Sequence, residues 1–330
     1  MKNRSILAML ALALVAALVV TIAYRKDSGP ALGKGKVIAI FKTSGSANAF
    51  WAAVSEGIES GAQDFGLEVS IRAPRDEIYV DEQIQILRNA IDERPAAIVL
   101  AASDFHRLVE PVREAKAKGI KVVCVDSFIE SEDADAKIGT DNFEAGQKCG
   151  AALLRRLYSV SRAAGQRVAV MSYVQGSSTA IGRESGLRAA LGDKAVIVGT
   201  SYSSSEEQIA YRQAKEILAT ESALAGIAAL NLPTILGAAR ALFESGREDK
   251  VVLVGFDNSP EVMRLIEQGV IRDAIVQKPF NMGYLSMQTV RELLSGRRSE
   301  RFTNTGSVDV DQANMFEPEN QKLLFPVAGQ

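Results

Sequence analysis

The sequence predicts an α/β protein with two Rossmann-like lobes, each containing a parallel sheet, hinged around a central ligand cleft. Short apolar runs alternate with amphipathic stretches between residues 36 and 277, and the set of runs occurs twice along the chain. Strands that alternate with helices form right-handed βαβ units, and such units build parallel sheets. At 330 residues the chain is long enough for two domains of this kind.

The first lobe begins with the apolar run KVIAIF (36–41), and further strands are expected near residues 67, 96 and 120. The first helix carries one apolar face with spacings of four, four and three residues, formed by Val54, Ile58, Ala62 and Phe65. In the second helix Ile84, Leu87 and Ile91 share a face, and Arg94-Pro95 marks its end.

The second lobe repeats this order, with strands expected near residues 167, 195, 226 and 251. The segment AKIGTDN (136–142) falls between the two sets, as a crossing between lobes would. The second set of strands has no place for the late strand DAIVQ (273–277) and a helix over 279–296, so we expect these two elements to return to the first lobe. We expect an N-terminal lobe of 36–139 plus 279–306 and a C-terminal lobe of 140–278 plus 307–330, boundaries that leave the strand 273–277 itself on the C-terminal side.

Residues 1–24 are expected to lie outside the fold, followed by a linker over 25–35. Lys2 and Arg4 precede an uncharged apolar run over residues 6–23. This run is longer than the ~7–15 residues of a typical signal core and close to the ~18 residues that span a bilayer. The segment is therefore a secretory signal peptide, with cleavage possible after Ala23, or an uncleaved membrane anchor. Either alternative places the body in the periplasm or on the extracytoplasmic face of the cell membrane.

Composition and motifs argue against several other classes of protein. The formal charge is −2, but residues 1–35 carry +4, so the remainder carries −6, which disfavours nucleic acid as a partner. No Cys/His cluster has zinc spacing and no GxxxxGK[ST] or GxGxxG follows a strand, so we expect neither a metal nor a cofactor. The single histidine, His106, is expected to be a surface or capping residue, and we expect no enzyme activity.

The two cysteines lie in different predicted elements. Cys124 is in the strand VVCVD and Cys149 is in the helix that follows. Each could be a buried free thiol that packs as a small hydrophobe, or the two could form a disulfide, and sequence alone does not decide between these alternatives.

Polar residues follow several predicted strands at the point where open α/β sheets bind their ligands. Asp126 and Asp257 end the runs VVCVDS and LVGFDNSP, where each carboxylate could accept two ligand hydroxyls or could instead cap a helix. Asn231 and Gln277 end two further strands and offer both donors and acceptors, and Arg183 is expected on the exposed start of a helix after another strand.

The first loop, FKTSGSANAFW (41–51), combines polar groups with two aromatic rings. Ser44 and Asn48 supply a hydroxyl and an amide, and Phe50 and Trp51 open the following helix. A sugar matches this combination, because its ring has an apolar C–H face and a rim of hydroxyls. The alternatives are that both aromatic rings pack between helix and sheet, and that the neighbouring Lys42 lies on the surface.

These segments together resemble the extracytoplasmic sugar-binding proteins of ABC transporters, the ribose- and galactose-binding type that shares the core fold of the lac repressor (type I periplasmic binding proteins). The resemblance covers about residues 36–325 and rests on the order and spacing of FKTSGSANAFWAAVSEGIESGA, VVCVDS with GTDNFEAGQ, AIGRESGLRAAL, NLPTILGAARAL, LVGFDNSP and IVQKPFNMGYLS. It implies two lobes that close over a ligand, three hinge strands, and ligand contacts at Ser44, Asn48, Phe50, Trp51, Asp126, Arg183, Asn231, Asp257 and Gln277. Lys42, Ser127 and Ser205 are further candidates.

The chain also departs from the pattern of the ribose binders. They carry Arg directly after the first Asp, where this chain has Ser127, and an aromatic residue in the second-lobe loop, where SYSSSEEQ offers only Ser205. Ala49 replaces the usual Pro and Leu232 replaces an Asp. These differences argue against ribose or galactose specifically and leave sugar alcohols, unusual pentoses and other polyols open.

We therefore expect a solute receptor that binds a small sugar or polyol by lobe closure and delivers it to the membrane subunits of an ABC-type permease. The alternative is a periplasmic sensor with the same fold that reports to a membrane histidine kinase or chemoreceptor. A monomer is expected in both cases.

Overall fold

The computed structural model describes residues 35–44, 49–160 and 165–324. Within these ranges the strands are, in chain order, β1 Lys36–Ile40, β2 Glu68–Arg72, β3 Ala97–Leu100, β4 Lys121–Val125, β5 Ala136–Gly139, β6 Gln166–Ser172, β7 Ala195–Tyr202, β8 Leu224–Ala229, β9 Val252–Phe256, β10 Asp273–Gln277, β11 Phe302–Asn304 and β12 Ser307–Asp311. The helices are α1 Ala49–Phe65, α2 Val80–Asp92, α3 Val109–Ala117, α4 Asn142–Val160, α5 Ser178–Leu191, α6 Glu207–Thr220, α7 Leu232–Glu244, α8 Pro260–Glu267, α9 Pro279–Leu294 and α10 Pro318–Leu324.

The strands form two six-stranded sheets with related strand orders. The first sheet has the order β11-β5-β4-β3-β1-β2, and all of its pairings are parallel. The second has the order β12-β10-β9-β8-β6-β7 and is parallel except for the antiparallel pair β10–β12. The prediction of two α/β units with mainly parallel sheets is confirmed.

The expectation that the strand 273–277 returns to the first lobe is wrong. This strand, β10, pairs with β9 and β12 in the second sheet, because it follows β9 through α8 as one more right-handed βαβ unit. The next helix, α9, does leave the second half of the molecule. A methyl group placed on Gly57 of α1 would lie 2.1 Å from the carbonyl oxygen of Phe280, so α9 packs backbone to backbone against α1 of the first half.

The chain crosses between the two sheets at three places. It leaves the first sheet after β5 and enters α4, leaves the second sheet after β10 and enters α9, and passes directly from β11 to β12 through Thr305 and Gly306. Strands β5 and β11 are paired, as are β10 and β12, so the crossings lie together at one edge of both sheets. Short neighbouring connections of this kind are where a hinge between two halves can form.

Apolar side chains cover both faces of the sheets, which explains the continuous apolar runs in the sequence. In β1, Val37 and Ala39 pack in a cluster with residues of α1 and α9, whereas Ile38 and Ile40 pack in a second cluster with residues of α2 and α3. Similar clusters cover the two faces of the second sheet.

Both cysteines are buried and free. Cys124 packs in the cluster beneath α2 and α3, and Cys149 packs in a cluster of the second half. Burial raises the pKa of the Cys124 thiol to about 12, so it behaves as a small apolar group.

In the portion of the chain described above, no helix has the length and apolar character needed to cross a membrane. The apolar run over residues 6–23, predicted to be a signal peptide or anchor, lies outside the described residues, as does most of the predicted linker.

Candidate functional site

A cavity of about 330 Å³ lies where the carboxyl ends of the two sheets face each other. Its wall takes residues that follow strands of the first sheet, namely Lys42, Glu77 and Asp126 after β1, β2 and β4. Residues at or after the ends of the second sheet's strands also line it, namely Tyr173, Ser205, Asn231, Asp257 and Gln277. Five of the lining residues are carboxylates (Asp76, Glu77, Asp126, Glu207 and Asp257), and two are cations (Lys42 and Arg183). This edge of parallel sheets is the usual ligand site of open α/β folds.

Lys42 connects the two halves within the cavity wall. The residue is only 3% exposed, so the surface alternative for Lys42 does not hold. Its Nζ lies 3.3 Å from the Asp126 carboxylate of the same half. It also donates to the hydroxyls of Ser177 and Thr179 in the second half, at 3.2 and 3.4 Å. A buried ammonium needs such partners, because an uncompensated charge away from water is costly.

Asp126 and Asp257 adopt the same backbone conformation directly after β4 and β9. Their φ angles are +60° and +71°, in the left-handed region that Asp and Asn tolerate better than most other residues. This turn ends the strand and leaves the carboxylate in the cavity wall. Asp257 does not cap the helix that follows it, because Ser259 caps α8 and its hydroxyl accepts from the Val262 amide at 3.2 Å. Asp126 is followed along the chain by β5, so there is no helix directly after it to cap.

Arg183 lies in the second turn of α5 and is held from three sides. The expectation of an exposed position is wrong, because the helix packs this side chain into the cavity wall and leaves it only 3% exposed. Its Nε donates to Asn142 at 2.9 Å, and its Nη1 donates to the Leu230 carbonyl at 2.8 Å. The guanidinium lies 4.4 Å from the centre of the Phe256 ring. These contacts fix the plane of the guanidinium within the cavity wall, 3.9 Å from the Asp257 carboxylate.

Asp257 is the centre of a second polar group in the wall. Its Oδ1 accepts from Gln277 Nε2 at 2.6 Å, and its Oδ2 accepts from the Leu232 amide at 3.2 Å. Burial raises the pKa of this carboxyl, although Arg183 opposes the shift. The Oε1 of Gln277 is buried without a hydrogen-bond partner, and a polar group in that state is rare in a folded protein.

Asn231 serves both the fold and the cavity. Its Oδ1 accepts from the Thr234 amide at 3.1 Å and so caps α7. Its Nδ2 donates to the Ser205 hydroxyl at 2.9 Å, and both side chains line the cavity.

The two aromatic residues at the start of α1 line the cavity and also pack against the protein. The Trp51 ring lies 5.0 Å from Phe41 and 5.2 Å from Phe50, the second pair edge to face. Trp51 is 8% exposed. The two alternatives considered for these rings are therefore compatible, because packing on one side fixes a ring that faces the cavity on the other.

The remaining predicted site residues lie in different environments. Ser44 is exposed and is not among the residues that line the cavity, and Asn48 lies outside the described residues. Ser127 is buried and donates to the Ala102 carbonyl at 2.8 Å, beside the cavity and not in its wall. His106 is on the surface, where it contacts Glu130.

The polar residues of the wall that sequence reasoning missed include Glu77, Tyr173 and Thr179. Tyr173 directly follows β6, so the strand-end rule could have found it. Its hydroxyl donates to Thr179 at 2.7 Å. Glu77 lies five residues beyond the end of β2, in a loop whose path the sequence does not reveal.

Within the described part of the chain, no group of three or more His, Cys, Asp or Glu residues is arranged to hold a metal ion. The cavity wall offers charged and hydrogen-bonding groups, together with the aromatic rings of Phe50 and Trp51.

Two α/β units that face each other across a polar cavity define a two-lobed receptor for small molecules. The chain belongs to the family described as periplasmic binding protein domain, which matches residues 38–298. The resemblance to periplasmic sugar-binding proteins stated from the sequence is confirmed.

Characterised relatives and solved structures extend this comparison. The D-allose-binding periplasmic protein of Escherichia coli (strain K12) is 26% identical over 245 residues, which is 72% of this chain and 78% of that protein. The D-apiose import binding protein of Paraburkholderia graminis is 25% identical over 272 residues, 79% of each chain. An ABC transporter solute binding protein from Agrobacterium vitis, solved with bound D-fucose, is 31% identical with a TM-score of 0.83 and covers 88% of this chain and 100% of its own. A carbohydrate transporter solute binding protein from Agrobacterium radiobacter, in complex with D-arabinose, is 25% identical with a TM-score of 0.85, over 89% of this chain and 100% of its own.

Proposed function

We propose that this protein is an extracytoplasmic receptor that binds a small sugar or polyol by closure of its two halves and delivers it to an ABC-type permease. The cavity is the observation that supports this function most strongly. It combines buried carboxylates, a fixed guanidinium and two amides with an aromatic pair, between two α/β halves joined by three connections. The relatives named for D-allose and D-apiose, and the structures that contain D-fucose and D-arabinose, indicate a monosaccharide of similar size.

Each group in the wall has a role that follows from its chemistry. Asp126 and Asp257 would accept hydrogen bonds from ligand hydroxyls, and Arg183 would donate to hydroxyl or ring oxygens. Asn231 and Gln277 offer both a donor and an acceptor, and the unpartnered Oε1 of Gln277 supplies an acceptor that a ligand hydroxyl can use. Phe50 and Trp51 would cover the carbon face of the ring.

Closure follows from the distribution of these groups between the halves. Asp126 and Trp51 belong to the first half, whereas Arg183 and Asp257 belong to the second. A ligand that contacts both sets stabilises the closed arrangement more than an open one, and this difference shifts the population towards closure. The closed receptor is then the form that the permease recognises.

The membrane side of the proposal rests on the N-terminal sequence. The apolar run over residues 6–23 would export the body or tether it outside the cytoplasm, with the permease as the membrane partner. We propose that the receptor acts as a monomer and releases its ligand chemically unchanged.

A thermal-shift panel of aldopentoses, aldohexoses, ketoses and sugar alcohols tests the proposal. A true ligand raises the melting temperature with its concentration, and at one hundred times Kd the stabilisation is about 2.7 kcal/mol. Calorimetry with the best compound then gives Kd and a stoichiometry, expected to be one. A folded protein that no member of the panel stabilises would contradict the proposed function.

A further inference from the structure

Glu77 is a buried carboxylate that the residues inferred from the family do not include. It lines the cavity and is 7% exposed. Charged and titratable groups face it from several elements: Lys42 after β1, Asp126 after β4 and the adjacent Asp76 in the first half, and Arg183 and Tyr173 in the second.

The buried charges of the cavity are not balanced around Glu77. Three carboxylates (Glu77, Asp126 and Asp257) and two cations (Lys42 and Arg183) are buried there. The Nζ of Lys42 lies 3.3 Å from the Asp126 carboxylate and 3.9 Å from the Glu77 carboxylate, so the ammonium is within hydrogen-bonding distance of Asp126 and farther from Glu77. Arg183 is bound to Asn142 and the Leu230 carbonyl and lies beside Asp257. Asp257 also has its cation at 3.9 Å, but it accepts hydrogen bonds from Gln277 and the Leu232 amide as well. Glu77, in contrast, shares Lys42 with Asp126, which lies closer to the ammonium.

The surroundings of Glu77 depend on closure of the cleft. Its Oε1 accepts a hydrogen bond from the Ser205 hydroxyl of the second half, and that hydroxyl in turn accepts from Asn231. Ser205 follows β7 and moves with the second sheet, whereas Glu77 follows β2 of the first. Separation of the halves would remove Ser205 and admit water to the carboxylate, so closure is what desolvates Glu77.

We propose that Glu77 is a positioning residue of the cleft that takes up a proton when the two halves close over the ligand, so that ligand affinity rises as the pH falls. The statement about affinity rests on the proposed function, because it requires a sugar or polyol that closes the cleft. A single proton removes the excess negative charge of the buried set and makes the carboxyl a donor as well as an acceptor.

The direction of the pH effect follows from linkage. Burial raises the pKa of Glu77 from 4.5 to about 7 in the closed arrangement. Between these values the closed form binds more protons than an open, solvated form. Closure therefore becomes more favourable as the pH falls through this window, and the cost of an ionised Glu77 is fully present above about pH 7. This difference predicts that Kd is about tenfold lower at pH 6 than at pH 8.

Calorimetry with the panel compound that stabilises the protein most provides the test. For the wild-type chain we expect tighter binding at pH 6 than at pH 8, and uptake of close to one proton at pH 6, measured from the binding enthalpy in two buffers with different ionisation enthalpies. Glu77→Gln mimics the protonated carboxyl, so its affinity should stay near the wild-type value at pH 6 and vary little with pH. Glu82→Gln is the matched control, because it removes the same charge from a side chain paired with Arg75 on the surface, and it should keep the wild-type pH profile.

The outcomes separate the two proposals. Binding that is independent of pH in the wild-type chain, or an unchanged pH profile in Glu77→Gln, would overturn the role of Glu77 and leave the receptor function standing. Failure of every sugar and polyol to bind the folded protein would overturn both.

Discussion

Replacement of Asp257 by Asn separates the charge of this residue from its backbone conformation. Asp257 has a φ of +71°, in the left-handed region that Asn also tolerates because its short polar side chain can hydrogen-bond locally. Ala lacks that group and is disfavoured in this region by about 1–2 kcal/mol. The protein uses two of the roughly four acceptor positions on the carboxylate, for the Gln277 amide and the Leu232 N–H. About two positions are left for ligand hydroxyls.

The structure indicates that Asp257→Asn lowers the stability of the fold little and lowers the affinity for the ligand more. The new amide could donate to Gln277, because the Oε1 of Gln277 has no partner and rotation of that side-chain amide would present it. The ligand, however, loses charge-assisted hydrogen bonds worth about 1.5–3 kcal/mol, which corresponds to a Kd about ten to one hundred times higher. Asp257→Ala should show at least the same tenfold loss together with a lower melting temperature.

Calorimetry at pH 7 with the best panel ligand measures the loss of affinity, and thermal unfolding without ligand reports the state of the fold. Asp249→Asn provides the control, because its side chain is 96% exposed in the same half of the molecule. An Asp257→Asn protein that melts normally and binds with wild-type affinity would show that the carboxylate does not hold the ligand.

Two further predictions concern the fold. Gly57→Ala should lower the free energy of unfolding by about 1–3 kcal/mol in urea titration, because its methyl group would lie 2.1 Å from the Phe280 carbonyl oxygen. Gly199→Ala is the control and should be nearly neutral, because its methyl group would have nothing within 4 Å. Equal effects of the two substitutions would contradict the packing of α1 on α9. Asp273→Ala should cost about 1.5–3 kcal/mol in the same assay, because this fully buried carboxylate accepts from Arg156 Nε at 2.7 Å, while Arg156 keeps Asp311 as a partner. An effect below about 1 kcal/mol would show that the ion pair is not needed for stability.

The strand-end rule located much of the candidate site, because it depends only on local order along the chain. Asp126 and Asp257 come immediately after their strands, and Gln277 is the last residue of β10, so the apolar runs alone placed them at the sheet edge. The rule gives no position for Glu77, because the loop after β2 is five residues long by that point and its path depends on contacts with the other half.

The sheet assignment of β10 shows a second limit of the sequence. The apolar pattern of DAIVQ predicts a buried strand but carries no information about which sheet it joins, since pairing is decided by the free edge beside β9. Trp51 shows the same limit. Periodicity predicts that this residue lies on the buried face of its helix, but it does not tell whether one side of the ring faces a cavity.

The crystal structure of the complex with the best panel ligand tests the central claim most directly. We expect one sugar or polyol in the cavity between the sheets, with oxygens within hydrogen-bonding distance of Asp126, Arg183 and Asp257 and a carbon face against Trp51. A ligand bound outside this cavity, or one that contacts only a single half of the molecule, would contradict it.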